Sequence, residues 1–412
     1  MFWLKQAIKE NKKIDLEEAI KQVGSRYPLL LEFKNTPQDK EWHAEGDVHI
    51  HVNMVIDETY KLIEAHDFTK EDQFVLLMAA IFHDIAKPLV TKEKEIRGKL
   101  RVVAPQHEEK GMSYLFYKFL EEDMTKSERE QILDLVGYHQ KPKFLVIKNQ
   151  SEWQYRLLTE NTPGYLFYYH EVADMKGRTC SDLQPSLDML EEFRMFCEEY
   201  DCFHKTGSIK NAVKNHFLEN FKFEDENSLS YLINKTYSDL INNEYNDPSV
   251  GYSKHFTNKE KHSKLFILCG LSGSGKSTAI EKIKQSNNVD IVISLDELRK
   301  QHKINNTNRK KIDGRVLQEA KLLLKQALAN HKNVIWDSTN LRKDFRKIIA
   351  DLGRQYNAET HLAFIVDSVS NCIKKDKKRI DSVGDLIIRK QEKEFQFPEL
   401  SETECYLMIE NY

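Results

Sequence analysis

Two sets of residues in this chain have types and spacings that suit chemistry on phosphate. The first is Gly270-Leu271-Ser272-Gly273-Ser274-Gly275-Lys276-Ser277, followed by Thr278. It satisfies G-x-x-x-x-G-K-[ST] and lies between an apolar run, Leu265 to Cys269, and a helical segment expected to begin near Thr278. Glycines in such a loop let backbone N–H groups turn toward phosphates. Lys276 would place its cation on the β and γ oxygens of a nucleoside triphosphate, and Ser277 would offer a hydroxyl to Mg²⁺. A dinucleotide loop does not fit, because Thr278 stands where the third glycine after Gly273 and Gly275 would be. Gly270, Ser272, Gly273, Ser274, Gly275, Lys276, Ser277 and Thr278 are therefore the candidate ATP and Mg²⁺ contacts.

The second set is His51, the pair His83-Asp84, His107, His139 and Asp174. Imidazole and carboxylate together suit a first-row divalent ion. A His-Asp pair gives two ligands from one turn, and each oxygen of Asp84 could take one of two ions. Two ions about 3.5 to 4 Å apart can polarise a phosphoryl oxygen and generate a hydroxide nucleophile. Any one of these histidines alone would read more naturally as a packed or surface residue; the weight lies in their occurring together.

Further polar groups fall where strands should end. Ile291 to Ser294 reads as a strand, and Asp296 and Arg299 follow it. A carboxylate there can accept the proton of an attacking hydroxyl, and the arginine can hold an anion. The competing reading makes Asp296 a helix N-cap. Asp337-Ser338-Thr339-Asn340 ends the next strand. Asn371 to Arg379 (NCIKKDKKR) is a basic run ahead of a helical segment from Val383 to Phe395. It reads either as a lid that neutralises transition-state charge or as a solvated helix face.

The elements that must position these groups differ along the chain. From about Asp15 to Tyr200 the spacing is helical, as in Phe74, Leu77, Met78, Ile81 and Phe82, which predicts an all-α domain over 1–202. Residues 203–263 are rich in Asn, Lys and Ser and predict a connecting module, with short helices at Ser208 to Phe223 and Ser228 to Leu240. Over 264–412 short apolar runs alternate with amphipathic helices. That pattern predicts an α/β P-loop domain with a parallel sheet, its strands at Leu265 to Cys269, Asp290 to Ser294, Asn333 to Trp336 and Leu362 to Val366.

The chain's 412 residues suit two or three domains, and 40% apolar with 31% charged residues describes a globular protein. A net charge of −3 gives no global field for a polyanion, so any nucleic acid must be held by local basic groups. The six cysteines show no C-x2-C spacing, which predicts reduced thiols. The apolar runs are too short for a membrane span and the N-terminus lacks a cleavable leader pattern, so the expectation is a cytoplasmic protein with no membrane contact.

GLSGSGKST, SLDELR, WDSTN and the basic run together resemble the 5′-hydroxyl polynucleotide kinases, over about Lys264 to Phe397. The resemblance implies Lys276 and Ser277 on ATP and Mg²⁺, Asp296 as general base, Arg299 on the acceptor's neighbouring phosphate, and Arg379 as a lid arginine on ATP phosphates. Lys375 stands where the family carries a second lid arginine. HAEGDVHIHVNMV (43–55), AAIFHDIAKP (79–88), QHEEKG (106–111), GYHQKP (137–142) and VADMKGR (172–178) resemble the HD phosphohydrolases, the first two most like the HD domains of bacterial tRNA nucleotidyltransferases. This implies His51, His83, Asp84 and Asp174 at a first metal, His107 and His139 toward a second, and Lys87 on substrate phosphate. His43 and His49 stand outside that set.

The order of the two parts resembles bifunctional HD-kinase end-healing enzymes, which remove 2′,3′-cyclic, 2′ or 3′ phosphates and phosphorylate 5′-hydroxyls. The resemblance implies ATP with Mg²⁺, a transition metal such as Mn²⁺, Ni²⁺ or Co²⁺, nucleic-acid ends (RNA, or DNA) as partners, and an RNA ligase acting downstream. The alternatives are a nucleotide or small-metabolite kinase fused to an HD nucleotide phosphohydrolase, active on mononucleotides without an adjoining phosphate, and a binding or signalling protein, which would need a broken motif.

Overall fold

The computed structural model describes residues 1–223, 225–258, 262–302 and 309–411. The chain divides into two compact units, Met1–Ile209 and Lys210–Tyr412.

In the first unit five helices carry the groups of interest. Helix α1 (Val48–Ala65) starts at Asp47, whose side chain accepts from the Ile50 N–H. Helix α2 (Lys70–Phe82) starts with a Thr69/Asp72 capping box, which satisfies two of the N–H groups that a helix start leaves unpaired. Every residue from Phe74 to Phe82 is buried, so α2 has no polar face and runs through the centre of the unit. The stretch Lys70–Val90 has the length and apolarity to cross a membrane, and 83% of its most apolar window is packed inside the unit. Helices α3 (His107–Phe119), α4 (Lys126–Tyr138) and α5 (Gly164–Lys176) complete the set.

One element departs from the all-helical expectation. Strands β1 (Lys92–Ile96) and β2 (Lys99–Val103) form an antiparallel hairpin, in register from Lys92↔Val103 to Ile96↔Lys99. It turns at Arg97-Gly98, where φ is 50° and 75°. Positive φ at both turn residues matches the right-handed twist of paired strands, and glycine takes it without strain. The strands lack a buried face: β1 is almost wholly exposed, so no apolar alternation marks it in the sequence.

The second unit includes most of the stretch expected to be a connecting module. Helices Ile209–Asn220, α6 (Glu226–Ile241) and Pro248–His255 occupy it; residues 224 and 259–261 lie outside the described residues. Helix α6 is bonded to the sheet by buried groups: Asn234 Nδ2 donates to Glu359 Oε1 at 2.6 Å, Lys235 Nζ donates to the Ala358 carbonyl at 2.6 Å, and Lys235 pairs with Glu404 at 3.2 Å. These bonds add to the burial of Tyr231, Leu232, Tyr237 and Leu240 on the same helix.

The sheet has five parallel strands in the order β4-β5-β3-β6-β7. They are β3 (Lys264–Cys269), β4 (Ile291–Ser294), β5 (Val334–Asp337), β6 (Glu359–Val366) and β7 (Cys405–Glu410). The sequence pattern had indicated the first four; β7 is half-exposed and lacks the continuous apolar run of a central strand. The order reverses beside β3, and the glycine-rich loop leaves the carboxyl end of that strand, at the crevice where open α/β sheets bind ligands.

Candidate metal centre and phosphate loop

Five helices of the first unit bring His51, His83, Asp84, His107, His139 and Asp174 together. His51 comes from the first turns of α1, and His83 caps α2 with Asp84 next to it. His107 opens α3, His139 caps α4, and Asp174 lies near the end of α5. All six are buried. They form two groups of three: His51, His83 and Asp174, then Asp84, His107 and His139, with ligand atoms in each group within 4.8 Å of one another. His51 Nε2 lies 3.1 Å from Asp174 Oδ1 and 3.2 Å from His83 Nε2. Asp84 spans the groups, its Oδ2 being 3.3 Å from His83 Nε2 and its Oδ1 3.2 Å from His107 Nε2.

The hydrogen bonds behind the rings test whether the donors suit metal. In each of the four histidines Nδ1 lies against a main-chain carbonyl: Gly177 for His51 (3.0 Å), Ala80 for His83 (3.0 Å), Ala104 for His107 (2.8 Å) and Val136 for His139 (3.0 Å). Placing the proton on Nδ1 leaves every Nε2 lone pair free to face the centre, the tautomer that metal ligands require. Asp84 Oδ1 and His107 Nε2 are sealed from solvent 3.2 Å apart without a well-formed hydrogen bond, while Asp84 Oδ2 has the Lys87 ammonium beside it. With the His107 proton on Nδ1, a buried carboxylate oxygen facing that ring's lone pair is costly unless a cation lies between them. The donor set therefore fits divalent ions, with His51, His83, Asp84 and Asp174 suited to hold one, and Asp84, His107 and His139 a second.

The charges are arranged to match. Burial opposes ionisation of Asp84, but Lys87 and His83 outweigh it and hold the carboxyl well below its usual range. Lys87 Nζ lies 2.7 Å from Asp84 Oδ2 and donates to Gln38 Oε1 at 2.6 Å. Burial likewise works against Asp174, which Arg178 and His51 hold ionised; Arg178 Nε donates to its Oδ1 at 3.1 Å. For His139, burial and then the neighbouring His107 and His83 push the pKa well down, keeping a neutral ring.

The sequence reading passed over several neighbours. His43 adjoins the centre: its ring lies 4.8 Å from that of His51, and its Nδ1 is 2.8 Å from Glu45 Oε1. Glu45 also approaches His51 Nδ1 at 3.3 Å. His49, by contrast, pairs with Glu17 at 3.0 Å away from the centre. Buried His170 stands on α5 with its ring 5.6 Å from that of His83, and burial lowers its pKa to about 3. Its spacing of four from Asp174, and that of Arg178 four beyond, was the available signal, since residues four apart share a helix face. Glu45 sits in a loop and carried none.

In the second unit the loop 270–275 wraps onto the start of helix α7 (Lys276–Ser286). Gly273 has φ 83°, and a Cβ there would come within 2.3 Å of the Cys372 carbonyl, so only glycine fits. Gly270 and Gly275 also have positive φ. Lys276 Nζ donates to the carbonyls of Gly270 (3.0 Å) and Leu271 (2.8 Å). Burial lowers its pKa, against the pull of Asp337. Ser274 is buried, whereas Ser277 and Thr278 are exposed at the first turn of α7. The Ser272 N–H donates to Gln391 Oε1 at 2.9 Å, from helix α10 (Asp385–Glu394).

Asp296 is in the first turn of helix α8 (Leu295–Gln301), whose N-cap position is Ser294; Asp296 is therefore not the cap. Its exposed carboxylate accepts from Arg299 at 2.6 Å, and its charge acts on both Lys276 and Asp337. Arg379 pairs with Asp381 on the surface, Nε to Oδ1 at 3.1 Å. Lys375, on helix α9 (Val369–Asp376), is bound to buried Asp367 just past β6.

Residues 48–160 match the HD domain family. Residues 265–398 match an AAA domain. The first unit thus contains an HD domain and the second a P-loop, kinase-like domain; Asp174 lies beyond the matched HD stretch and joins the centre through α5. HD domains bind divalent metals, and a P-loop kinase-like domain works with ATP and Mg²⁺, so the chain combines a phosphohydrolase-type and a kinase-type domain.

Proposed function

We propose that the protein heals broken nucleic-acid ends, RNA above all: the HD domain removes 2′,3′-cyclic, 2′ or 3′ phosphates and the P-loop domain phosphorylates 5′-hydroxyls with ATP. The observation that carries this reading is the pair Asp296 and Arg299 beside the phosphate loop, in a chain that also holds the HD centre. Asp296 is exposed, is not spent on capping α8, and acts electrostatically on Lys276. An exposed carboxylate whose charge acts on Lys276 can take the proton of an incoming hydroxyl, and Arg299 can move from Asp296 onto the acceptor's adjoining phosphate.

At the HD centre bound divalent ions would polarise the phosphoryl group and activate water. The chain's own part is to hold four imidazoles in one tautomer and keep Asp84 and Asp174 ionised. Lys87 and Arg178 then stand beside the carboxylates as cations for the phosphate oxygens. The protein acts in the cytoplasm on this reading, ahead of an RNA ligase that needs both ends repaired.

The test is incubation with a 5′-hydroxyl, 2′,3′-cyclic-phosphate RNA, labelled ATP, Mg²⁺ and Mn²⁺, with both ends analysed. Asp84→Ala should end phosphate release and leave 5′ labelling. Lys276→Ala should do the reverse, and Asp296→Asn should slow labelling roughly 10²- to 10⁴-fold with ATP binding retained. Equal wild-type kinase rates on a nucleoside, a nucleoside 3′-monophosphate and an oligonucleotide would reject the polynucleotide reading in favour of a small-molecule kinase.

A further inference from the structure

A cavity of about 480 Å³ opens beside the HD centre. Lys87, His107 and Arg178 line it on the metal-ligand side, while Trp42, Phe144 and Val102 line it elsewhere. Its volume is in the range that one small-molecule ligand fills. Trp42 and Phe144 are 42% and 44% exposed, so each ring keeps part of its surface open to solvent.

The wall carrying Trp42 is built by the hairpin that interrupts the helices. Buried Asp39 accepts from the Val102 N–H of β2 at 3.1 Å and pairs with Arg101 at 2.7 Å. Arg101 in turn lays its guanidinium over the Trp42 ring, 4.1 Å from the centroid, and is also bound by Glu41. A cation over an indole face fixes the ring's orientation. One carboxylate thus anchors both the hairpin and the group that orients Trp42. None of these bonds involves a residue of the candidate metal centre.

We infer that this wall is a base pocket: the HD centre takes a single unpaired terminal nucleotide, its base held against Trp42 and Phe144 and its phosphate over Lys87, Arg178 and the Asp84 group. The chemistry fits on both sides. Unstacked bases are recognised by aromatic side chains, and the anionic phosphate meets the cations. A base still paired in a duplex is stacked and held by its partner, and would have to leave the stack to lie against these rings. The inference rests on the phosphohydrolase reading above and adds to it the state of the end that is accepted.

The experiment uses the full chain with Mn²⁺ and three 3′-phosphorylated substrates: a single-stranded oligonucleotide, the same strand with an abasic terminal residue, and a blunt duplex. Calorimetric binding of a nucleoside 3′-monophosphate and of ribose phosphate runs alongside. The single strand should have a KM roughly tenfold or more below the abasic strand, with the duplex poorest. Trp42→Ala should raise KM for the single strand roughly tenfold or more with a smaller change in kcat, and so shrink the gap to the abasic strand; Trp42→Phe should restore most of it. Equal KM for the base-bearing and abasic strands in the wild type would overturn the pocket and leave the hydrolase reading standing. No phosphate release from any ester, with Trp42-dependent nucleotide binding retained, would remove the hydrolase reading and keep the pocket. Equal binding of nucleotide and ribose phosphate would overturn the pocket whatever the catalysis.

Discussion

Lys87→Met tests the charge balance of the HD centre. Lys87 Nζ is 2.7 Å from Asp84 Oδ2, and both side chains are almost wholly buried. Methionine keeps the length and apolar stem of lysine but removes the cation, leaving Asp84 ionised, sealed and without its nearest counter-charge. Breaking a buried ion pair from one side costs about 3 to 5 kcal/mol. The lower end applies, because His83 and His107 also face the carboxylate. About 3 kcal/mol in a unit of this size corresponds to a fall in Tm of roughly 6 to 12 °C. That loss should appear in chelator-treated protein and narrow when Mn²⁺ is added, since a ligand that binds only the folded state restores stability and a divalent ion takes over the compensation of Asp84. Calorimetry of the full chain with and without metal reads both numbers for wild type and variant. A Tm deficit unchanged by metal would refute the reasoning, as would chelator-treated Lys87→Met melting like wild type.

Glu45→Gln should weaken metal binding at the group containing His51 by about tenfold, the low end of the effect of an outer-shell partner, because the Gly177 carbonyl still accepts from His51 Nδ1; a two-step metal titration should show the group of Asp84, His107 and His139 unmoved. Gly177→Ala would place a Cβ 2.6 Å from Val55 Cγ2 and 2.9 Å from the Val55 nitrogen, so it should cost about 1 to 3 kcal/mol in denaturant unfolding and also reduce metal affinity by displacing the carbonyl behind His51. Asp134, half-buried on α4 and bonded to Thr162 at 2.8 Å, has its pKa raised from 3.8 to about 7, by burial first and then by Glu130. A folded value above the unfolded one means stability that is full below about pH 4 and lost as pH rises through about 7, so Asp134→Asn should flatten the pH profile and be the more stable form at pH 8. The roughly 3-unit shift corresponds to about 4 kcal/mol, discounted to about 2 for the exposed edge; an unchanged pH profile of unfolding would count against it.

The six residues of the candidate metal centre were legible in the sequence because histidine and carboxylate are rare in cores and occur here together in one order; the structure places three of them at helix ends, His83 and His139 as C-caps and His107 as a first residue. The glycine-rich loop was legible for a steric reason, as the 2.3 Å approach of Cys372 to a Cβ at Gly273 shows. What escaped notice has no periodicity to announce it. Glu45 acts from a loop, β1 is exposed on both faces, and the anchoring of α6 depends on Asn234 and Lys235 finding Glu359 and Glu404 about 125 and 169 residues away. Such long-range polar pairs leave no trace in local pattern, because each residue taken alone reads as surface.

The two domains keep their cations in different states of readiness. In the P-loop domain Arg299 and Arg379 rest on Asp296 and Asp381, pairs in which at least one partner is well exposed; such pairs contribute about 0 to 1 kcal/mol and are readily exchanged for a phosphate. Lys276 donates to two carbonyls of its own loop. In the first unit the cations Lys87 and Arg178 are bound to carboxylates that are themselves sealed from water, and leaving those partners would strand a buried charge. In the phosphate-binding role proposed for them, they would meet a phosphate while still bound to Asp84 and Asp174, in positions fixed before substrate arrives. On the proposed function, the kinase-type site can accordingly rearrange around its two substrates, whereas the hydrolase-type site accepts a phosphate only where its cations already stand.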